Sequence, residues 1–337
     1  MELITAIAVA ATGLIVTGLL GFLLIPALHR LKYGQTILDI GPAWHKGKQG
    51  TPTMGGIMFI IGSAIAFGIG LFMLWKYDLI SFQGAGELNF FKGISGFIMA
   101  FLFAFVGFLD DYIKVRKRRN EGLTANQKII FQLMVISAYF TAQVMAGDTS
   151  TSIAIPFLGQ LDLWYFYYVI MGLGILYLVN AVNLTDGLDG LCSSVSVIYC
   201  AAFAVICSMV GLLELSVLGV AVAGSCVGFL IWNFHPAKIF MGDTGSMFLG
   251  GIVCALGIGA RVEVLMVIAA AVYIWEALTV LIQMTYFKAT NGKRLFKMTP
   301  IHHSFELSGW REIKIVFLFS VLAAIAGAVA ILLVNSL

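Results

Sequence analysis

Residues 3–28 read LITAIAVAATGLIVTGLLGFLLIPAL, a run with no charged side chain and longer than the ~20 residues a helix needs to cross the hydrocarbon core of a bilayer. No basic stretch precedes it and no small-residue cleavage site follows, so it reads as a retained span and not a signal peptide. Runs of the same kind recur down the chain, at about 53–75, 93–109, 129–146, 163–182, 190–211, 213–232, 245–260, 262–287 and 313–336. The expected fold is therefore all-α and polytopic, with about ten transmembrane helices and a single transmembrane domain over 1–337.

Composition agrees. The chain is 60% hydrophobic and 11% charged with a mean hydropathy of +0.98, which excludes an ordinary soluble domain or a soluble domain on one anchor. No repeat, heptad or low-complexity segment interrupts it. The net charge of +3 says little about partners, and no nucleic acid is expected among them. The five cysteines, Cys192, Cys200, Cys207, Cys226 and Cys254, all fall in apolar runs, where they read as small core residues. The aromatic stretch LDLWYFYY (161–168) reads as an anchor at one membrane interface.

Lysine and arginine set the expected orientation. Loops after the odd-numbered spans, with the adjoining span ends, hold seventeen of them, against Lys76, Lys92 and Arg261 on the other side. Both termini are thus expected outside and the chemistry-bearing loops in the cytoplasm.

Carboxylates near a membrane are costly unless paired or functional, and five aspartates gather on that one side. Asp110 and Asp111 end the third span in GFLDDYIK (107–114). Asp186 and Asp189 follow the fifth in NAVNLTDGLDGL (180–191), and Asp243 lies in NFHPAKIFMGDTGS (233–246) after the seventh. Clustered carboxylates repel and resist desolvation; a divalent cation relieves both, and an all-oxygen ligand set favours magnesium or manganese over zinc. Asn180, Asn183, Asp186 and Asp189 recur every third residue, but Gly187 and Gly190 predict that the helix breaks into a turn there. Asn233 and His235 add polar groups at the same level.

Basic groups stand beside these acids: Lys46 and Lys48 before TPTMGG, Lys114 after the aspartate pair, and Lys128 at the start of the next span. Cations next to metal-binding acids suit a pyrophosphate substrate, because phosphoryl transfer depends on positioning and charge neutralisation. The run at 116–119 reads as a topology signal or an anionic-lipid contact. His302 and His303 have no metal-ligand spacing and read as phosphate or sugar contacts. Glu276, the acid in mid-span, reads as hydrogen-bonded within the bundle.

Taken together, HKGKQGTPTMGG (45–56), GFLDDYIK, NLTDGLDGL (183–191), NFHPAKIFMGDTGS and PIHHSFE (300–306) resemble, in order and spacing, the phospho-N-acetylmuramoyl-pentapeptide transferase family, from about residue 29 to 312. The resemblance implies a magnesium-dependent enzyme of peptidoglycan synthesis in the bacterial cytoplasmic membrane. It would transfer phospho-N-acetylmuramoyl-pentapeptide from UDP to undecaprenyl phosphate, giving lipid I and UMP, as a ten-span homodimer. It further implies that Asp243 binds magnesium and that Asp110 and Asp111 form an essential pair, Asp110 being the candidate for deprotonating the lipid phosphate. Asp186 and Asp189 would lie beside the nucleotide, with Gly187, Leu188, Asp189 and Phe240 holding uracil and Lys48 near the donor. Asn180, Asn183, Asn233, His302 and His303 would be the remaining active-site polar groups. The family commonly has three consecutive histidines in its last motif, whereas the third position here is Ser304; a serine still donates and accepts hydrogen bonds, and retained activity is expected.

Two rival readings follow from the same residues. A sibling enzyme transferring N-acetylglucosamine 1-phosphate to the same lipid would share the aspartates. A secondary transporter would share the many spans, but transporter sites sit near mid-membrane between repeats, whereas these acids line up at one end.

Overall fold

The computed structural model describes residues 2–30, 48, 50–81, 84–117 and 121–337; Lys46 and the Arg118 and Arg119 part of the basic run lie outside them. Twelve α-helices are described: α1 (Glu2–Arg30), α2 (Gly56–Lys76), α3 (Ala85–Lys117), α4 (Ala125–Met145), α5 (Phe166–Thr185), α6 (Leu191–Met209), α7 (Leu213–Asn233), α8 (Gly242–Gly259), α9 (Glu263–Ala269), α10 (Ala271–Ala289), α11 (Ile301–Glu306) and α12 (Glu312–Leu333). Nine of them are long and apolar enough to span a membrane, and α9 with α10, bent by 73° at their junction, makes a tenth crossing if counted as one. Helices are the natural outcome, since each satisfies its own backbone polar groups where water is absent.

The ten apolar runs thus correspond, among the described residues, to these nine helices and the bent α9–α10 pair, with three differences. Helix α3 extends well past the expected 109, because DDYIKVRK contains no glycine or proline to stop it; Asp110 and Asp111 lie inside a helix and not at its end. Helix α8 starts at Gly242, which puts Asp243 in a first helical turn and not in a loop. The ninth run breaks without a local breaker in its sequence. Its bend comes from packing: a Cβ at Gly257 of α8 would lie 2.4 Å from the Met266 Cβ, so α9 is drawn against α8 before α10 departs.

Helix α8 is the axis of the molecule, buried at every position from Thr244 to Gly259. Helix α1 packs against α7 through small residues, Gly224 lying on the Ala10 backbone and Gly13 on Ser225, as membrane helices do where apolar burial supplies no drive. Its other face, with Leu3, Ile7, Phe22 and Leu23, is exposed and suits lipid. All five cysteines are buried in the bundle.

Helices α3, α5 and α7 end, and α2, α4, α6, α8 and α12 begin, at one end of this bundle. At the other end a short hairpin, β1 (Ser152–Ile155) antiparallel to β2 (Gly159–Asp162), was not legible in the apolar pattern. There Trp164, Tyr165 and Phe166 are exposed while Tyr167 turns inward to donate to Glu263 at 2.7 Å. Lys92 and Arg261, two of the three basic residues on this side, both pair with Asp148.

Candidate active site

The acid centre is assembled by the start of α8. The first turn of a helix leaves backbone N–H groups without intrahelical partners and carries the positive end of the helix dipole. Asp111 satisfies them from α3: it accepts from Asp243 N at 3.2 Å and from Thr244 N at 2.9 Å, and from the Thr244 hydroxyl at 2.7 Å. This needs α3 and α8 to touch, and Gly107 permits it. A Cβ there would lie 2.2 Å from the Asp243 carbonyl oxygen.

Asp243 is thereby set opposite two ammonium groups. Lys114, one turn beyond Asp110, places Nζ 3.1 Å from Asp243 Oδ2 and also pairs with Asp110. Lys128 places Nζ 3.0 Å from the same oxygen. Its position follows from a capping box: the Thr124 hydroxyl accepts from Gln127 N and the Gln127 side chain accepts from Thr124 N, which starts α4 so that Lys128 falls in its opening turns. Asn183, near the end of α5, donates to Asp243 Oδ1 at 2.9 Å. The other oxygen of Asp110 accepts from Leu123 N at 2.8 Å.

Beside this centre α5 ends at Thr185 and the chain turns, as the two glycines predict. Asp189 is buried and holds three partners: Lys48 Nζ at 2.8 Å, His235 Nδ1 at 3.0 Å and Ala237 N at 3.1 Å. Lys48 reaches on to Glu312 at the start of α12, again at 2.8 Å. Burial pushes the Lys48 ammonium down, but its hydrogen bonds to Asp189 and Glu312 and their charges outweigh burial and raise it above the ordinary lysine value. Asn233, last in α7, accepts from Gly190 N and the Ser193 hydroxyl and donates to the Ile239 carbonyl, which clamps the turn to the loop before α8. Phe240 exchanges backbone bonds with Pro52 and Gly55, joining the TPTMGG loop to the same place. Leu188 is buried.

Asp186 lies between the two centres. Burial, and then the charges of Asp243, Asp111 and Asp189, push its carboxyl well above the usual carboxylate range. Asn180, about one turn before Asn183 in α5, exchanges amide hydrogen bonds with Gln132 of α4. His302 is wholly buried, its Nδ1 3.0 Å from Glu276 Oε2, and its ring rests against Gly187. His303 Nδ1 lies 2.7 Å from Glu306. Ser304 donates to the Met298 carbonyl at 2.6 Å and accepts from its N–H at 3.1 Å, so it closes the turn before α11.

The donors suit a hard divalent cation. Asp110, Asp111 and Asp243 each bring a carboxylate oxygen within 4.8 Å of the others, an all-oxygen set of the kind magnesium takes. Counted formally, three carboxylates stand against two lysines, which leaves room for a cation's charge. A second group of ligand atoms, from Asp189, His235 and Glu312, meets the same distance, but Lys48 and backbone N–H groups already serve it.

Sequence reading missed Glu312 and Gln132 and put Lys128 beside the acids without naming its partner; Glu312 opens an apolar run after a long basic loop, and only the return of α12 to the turn reveals its use. The Glycosyl transferase family 4 model matches residues 93–261, and the phospho-N-acetylmuramoyl-pentapeptide-transferase signature 1 matches residues 48–60. Curated relatives bearing the name phospho-N-acetylmuramoyl-pentapeptide-transferase include those of Desulforamulus reducens, 42% identical over 96% of this chain and 94% of that one, and Listeria monocytogenes serovar 1/2a, 42% identical over 95% of each. That of Halalkalibacterium halodurans is 40% identical over 95% of this chain and 94% of its own.

Proposed function

The chain belongs to the family of phospho-N-acetylmuramoyl-pentapeptide-transferases, and on that premise we propose that it makes lipid I, moving phospho-N-acetylmuramoyl-pentapeptide from UDP to undecaprenyl phosphate with release of UMP. The observation that carries this reading is the meeting of Asp110, Asp111 and Asp243 with Lys114 and Lys128 at one end of the bundle, next to the Asp186–Asp189 turn. One substrate cannot leave the lipid and the other cannot enter it. Their phosphates can meet only near the interface, where this cluster lies. The same reading takes residues 1–337 as one catalytic domain, the site as facing the cytoplasm from the cytoplasmic membrane, and the working form as a homodimer.

Asp243, with Asp110 within reach, would hold magnesium, which when bound would supply neutralisation of the pyrophosphate charge. Everything else is done by side chains. Asp111 has both oxygens engaged by the start of α8, so it orients Asp243. Lys114 and Lys128 face the developing charge as an oxygen of the lipid phosphate forms its bond to the donor's β-phosphorus. The bond from that phosphorus to the UMP oxygen breaks, and its electron pair leaves with UMP. A lipid phosphate is already largely ionised near neutral pH, and both oxygens of Asp110 have partners. Asp110 therefore serves to hold Lys114 and the cation more than to take a proton. Lys48, Asp189, Leu188, Gly187 and Phe240 bind the uridine half, and Asn183 keeps Asp243 in place.

The test is UMP release by the purified protein from UDP-N-acetylmuramoyl-pentapeptide, with and without magnesium and with each substrate omitted in turn. Release from UDP-N-acetylglucosamine and not from the muramoyl-pentapeptide donor would assign the sibling reaction.

A further inference from the structure

Glu276 of α10 and His302 of α11 are both wholly buried, and each keeps a second polar atom without a partner: Glu276 Oε1 and His302 Nε2. An unpartnered buried polar atom is costly to leave unpaired, and an acid in mid-span is costly in its own right. The reason for tolerating both lies in what Nε2 faces. A Cβ at Gly187 would stand 2.2 Å from His302 Nε2 and 2.7 Å from Cε1, and the three atoms nearest to it all belong to that ring. The edge of the imidazole bears directly on the turn that carries Leu188 and Asp189.

The far side of this turn is well held, by Asn233 on Gly190 and by Lys48, His235 and Ala237 on Asp189. The near side, at Gly187, meets His302. The imidazole could swing away on its own torsions, but the Nδ1–H given to Glu276 fixes both ring orientation and tautomer. We propose that Glu276 is a positioning residue for the nucleotide-sugar donor, bracing the Gly187 turn through His302. It rests on the donor-site reading above. The brace runs from the arm that follows the α9–α10 bend to the loop that binds uridine, and it accounts for a carboxylate with no contact of its own to the acid centre.

Donor and lipid kinetics on Glu276→Ala and Glu276→Gln test it. The expected result for Glu276→Ala is a donor KM raised by about tenfold, equivalent to ~1.4 kcal/mol, with kcat within about threefold and the undecaprenyl phosphate KM within about twofold. Glu276→Gln keeps an oxygen that accepts from Nδ1, and its donor KM should stay within about threefold of the wild type. An unchanged donor KM in Glu276→Ala, a loss confined to kcat, or equal damage from both variants overturns the brace. Absence of turnover in the wild-type protein sinks the donor reading instead. Should Glu276→Ala fail to fold, the wild-type protein still decides. It has five histidines, so the ¹⁵N imidazole signals of His302 can be assigned by difference from His302→Gln. They should report an Nδ1-protonated ring whose Nε2 shift moves on saturation with UDP; an Nε2 signal that ignores UDP overturns the proposal.

Discussion

Lys128 Nζ stands 3.0 Å from Asp243 Oδ2 across 115 residues of chain, with Lys114 on the same oxygen at 3.1 Å. Two ammonium groups on one carboxylate oxygen occupy the electrostatic place of a divalent cation. The two lysines are aimed where an incoming pyrophosphate would lie.

Asp243→Asn should remove magnesium-dependent UMP release, by about 10³-fold or more if Asp243 anchors the cation on which the phosphate charge depends. The melting temperature should fall only modestly: Lys114 and Lys128 lose a partner, but Lys114 keeps Asp110 and α8 keeps its cap from Asp111. Full activity in this variant would take Asp243 out of the site.

Lys128→Met should lower the melting temperature in a chelator, because Asp243 loses one of two compensating charges in a partly buried setting. Millimolar magnesium should close most of that gap, since the cation replaces the missing charge. A thermal-shift series with and without magnesium measures both; equal losses in the two conditions would separate Lys128 from the acid centre.

Gly107→Ala inserts a methyl 2.2 Å from the Asp243 carbonyl oxygen and 2.4 Å from its carbon. Backbone is met, so the start of α8 must move. Overpacking of this kind costs about 1–3 kcal/mol, and a shift of about 1 Å at Asp243 is worth about 10²-fold in rate. Turnover should fall about 10²-fold alongside a loss of stability of about 1–3 kcal/mol, as paired assays of UMP release and unfolding would record.

Asp186 has a carboxyl raised above its unfolded value by burial and by its neighbours' charges. A raised acid binds protons more tightly folded than unfolded, so its stability contribution is best at low pH and is lost as pH rises through the folded value. Asp186→Asn should therefore raise the melting temperature at pH 8 and leave it unchanged near pH 4, while abolishing activity. Melting curves at the two pH values check the sign.

Asp148 has the opposite sign. Burial pushes its carboxyl up, but Arg261 and Lys92 outweigh burial and hold it below the usual range. Its contribution is present above the unfolded value and lost as pH falls through the folded one. Asp148→Asn should cost less than the ~3–5 kcal/mol of a fully buried pair, since Arg261 is partly exposed to screening. The specific activity of the folded protein should be unchanged.

How much of this was legible beforehand can be read at particular residues. Apolar runs marked every crossing, and the grouping of Asp110, Asp111, Asp186, Asp189 and Asp243 at alternate loop positions put them on one side, because a helix that spans a bilayer must deliver its ends to opposite faces. The two glycines of DGLDG were enough to forecast the turn. The transporter reading loses its footing for a related reason: these acids meet at one end of the bundle and not at its middle.

Pairings were another matter. Nothing in the chain near Glu312 announces that it will share Lys48 with Asp189, and nothing near Asp111 says that its oxygens will cap a helix more than a hundred residues away. The pairing of Asn180 with Gln132 of α4 is likewise announced by nothing near either residue. The break between α9 and α10 has no proline or glycine to signal it.

The physical division is one of range. Hydrophobicity, turn-forming glycine and charge placement act through solvent and lipid on each segment separately, so they can be read along the chain and determine span number and the grouping of the acids on one side; the family is legible only in the series of loop motifs. Which oxygen receives which ammonium depends on how closely α3, α5 and α8 approach one another. That spacing is decided by glycine contacts between helices far apart in sequence, and it exists only once the bundle has packed.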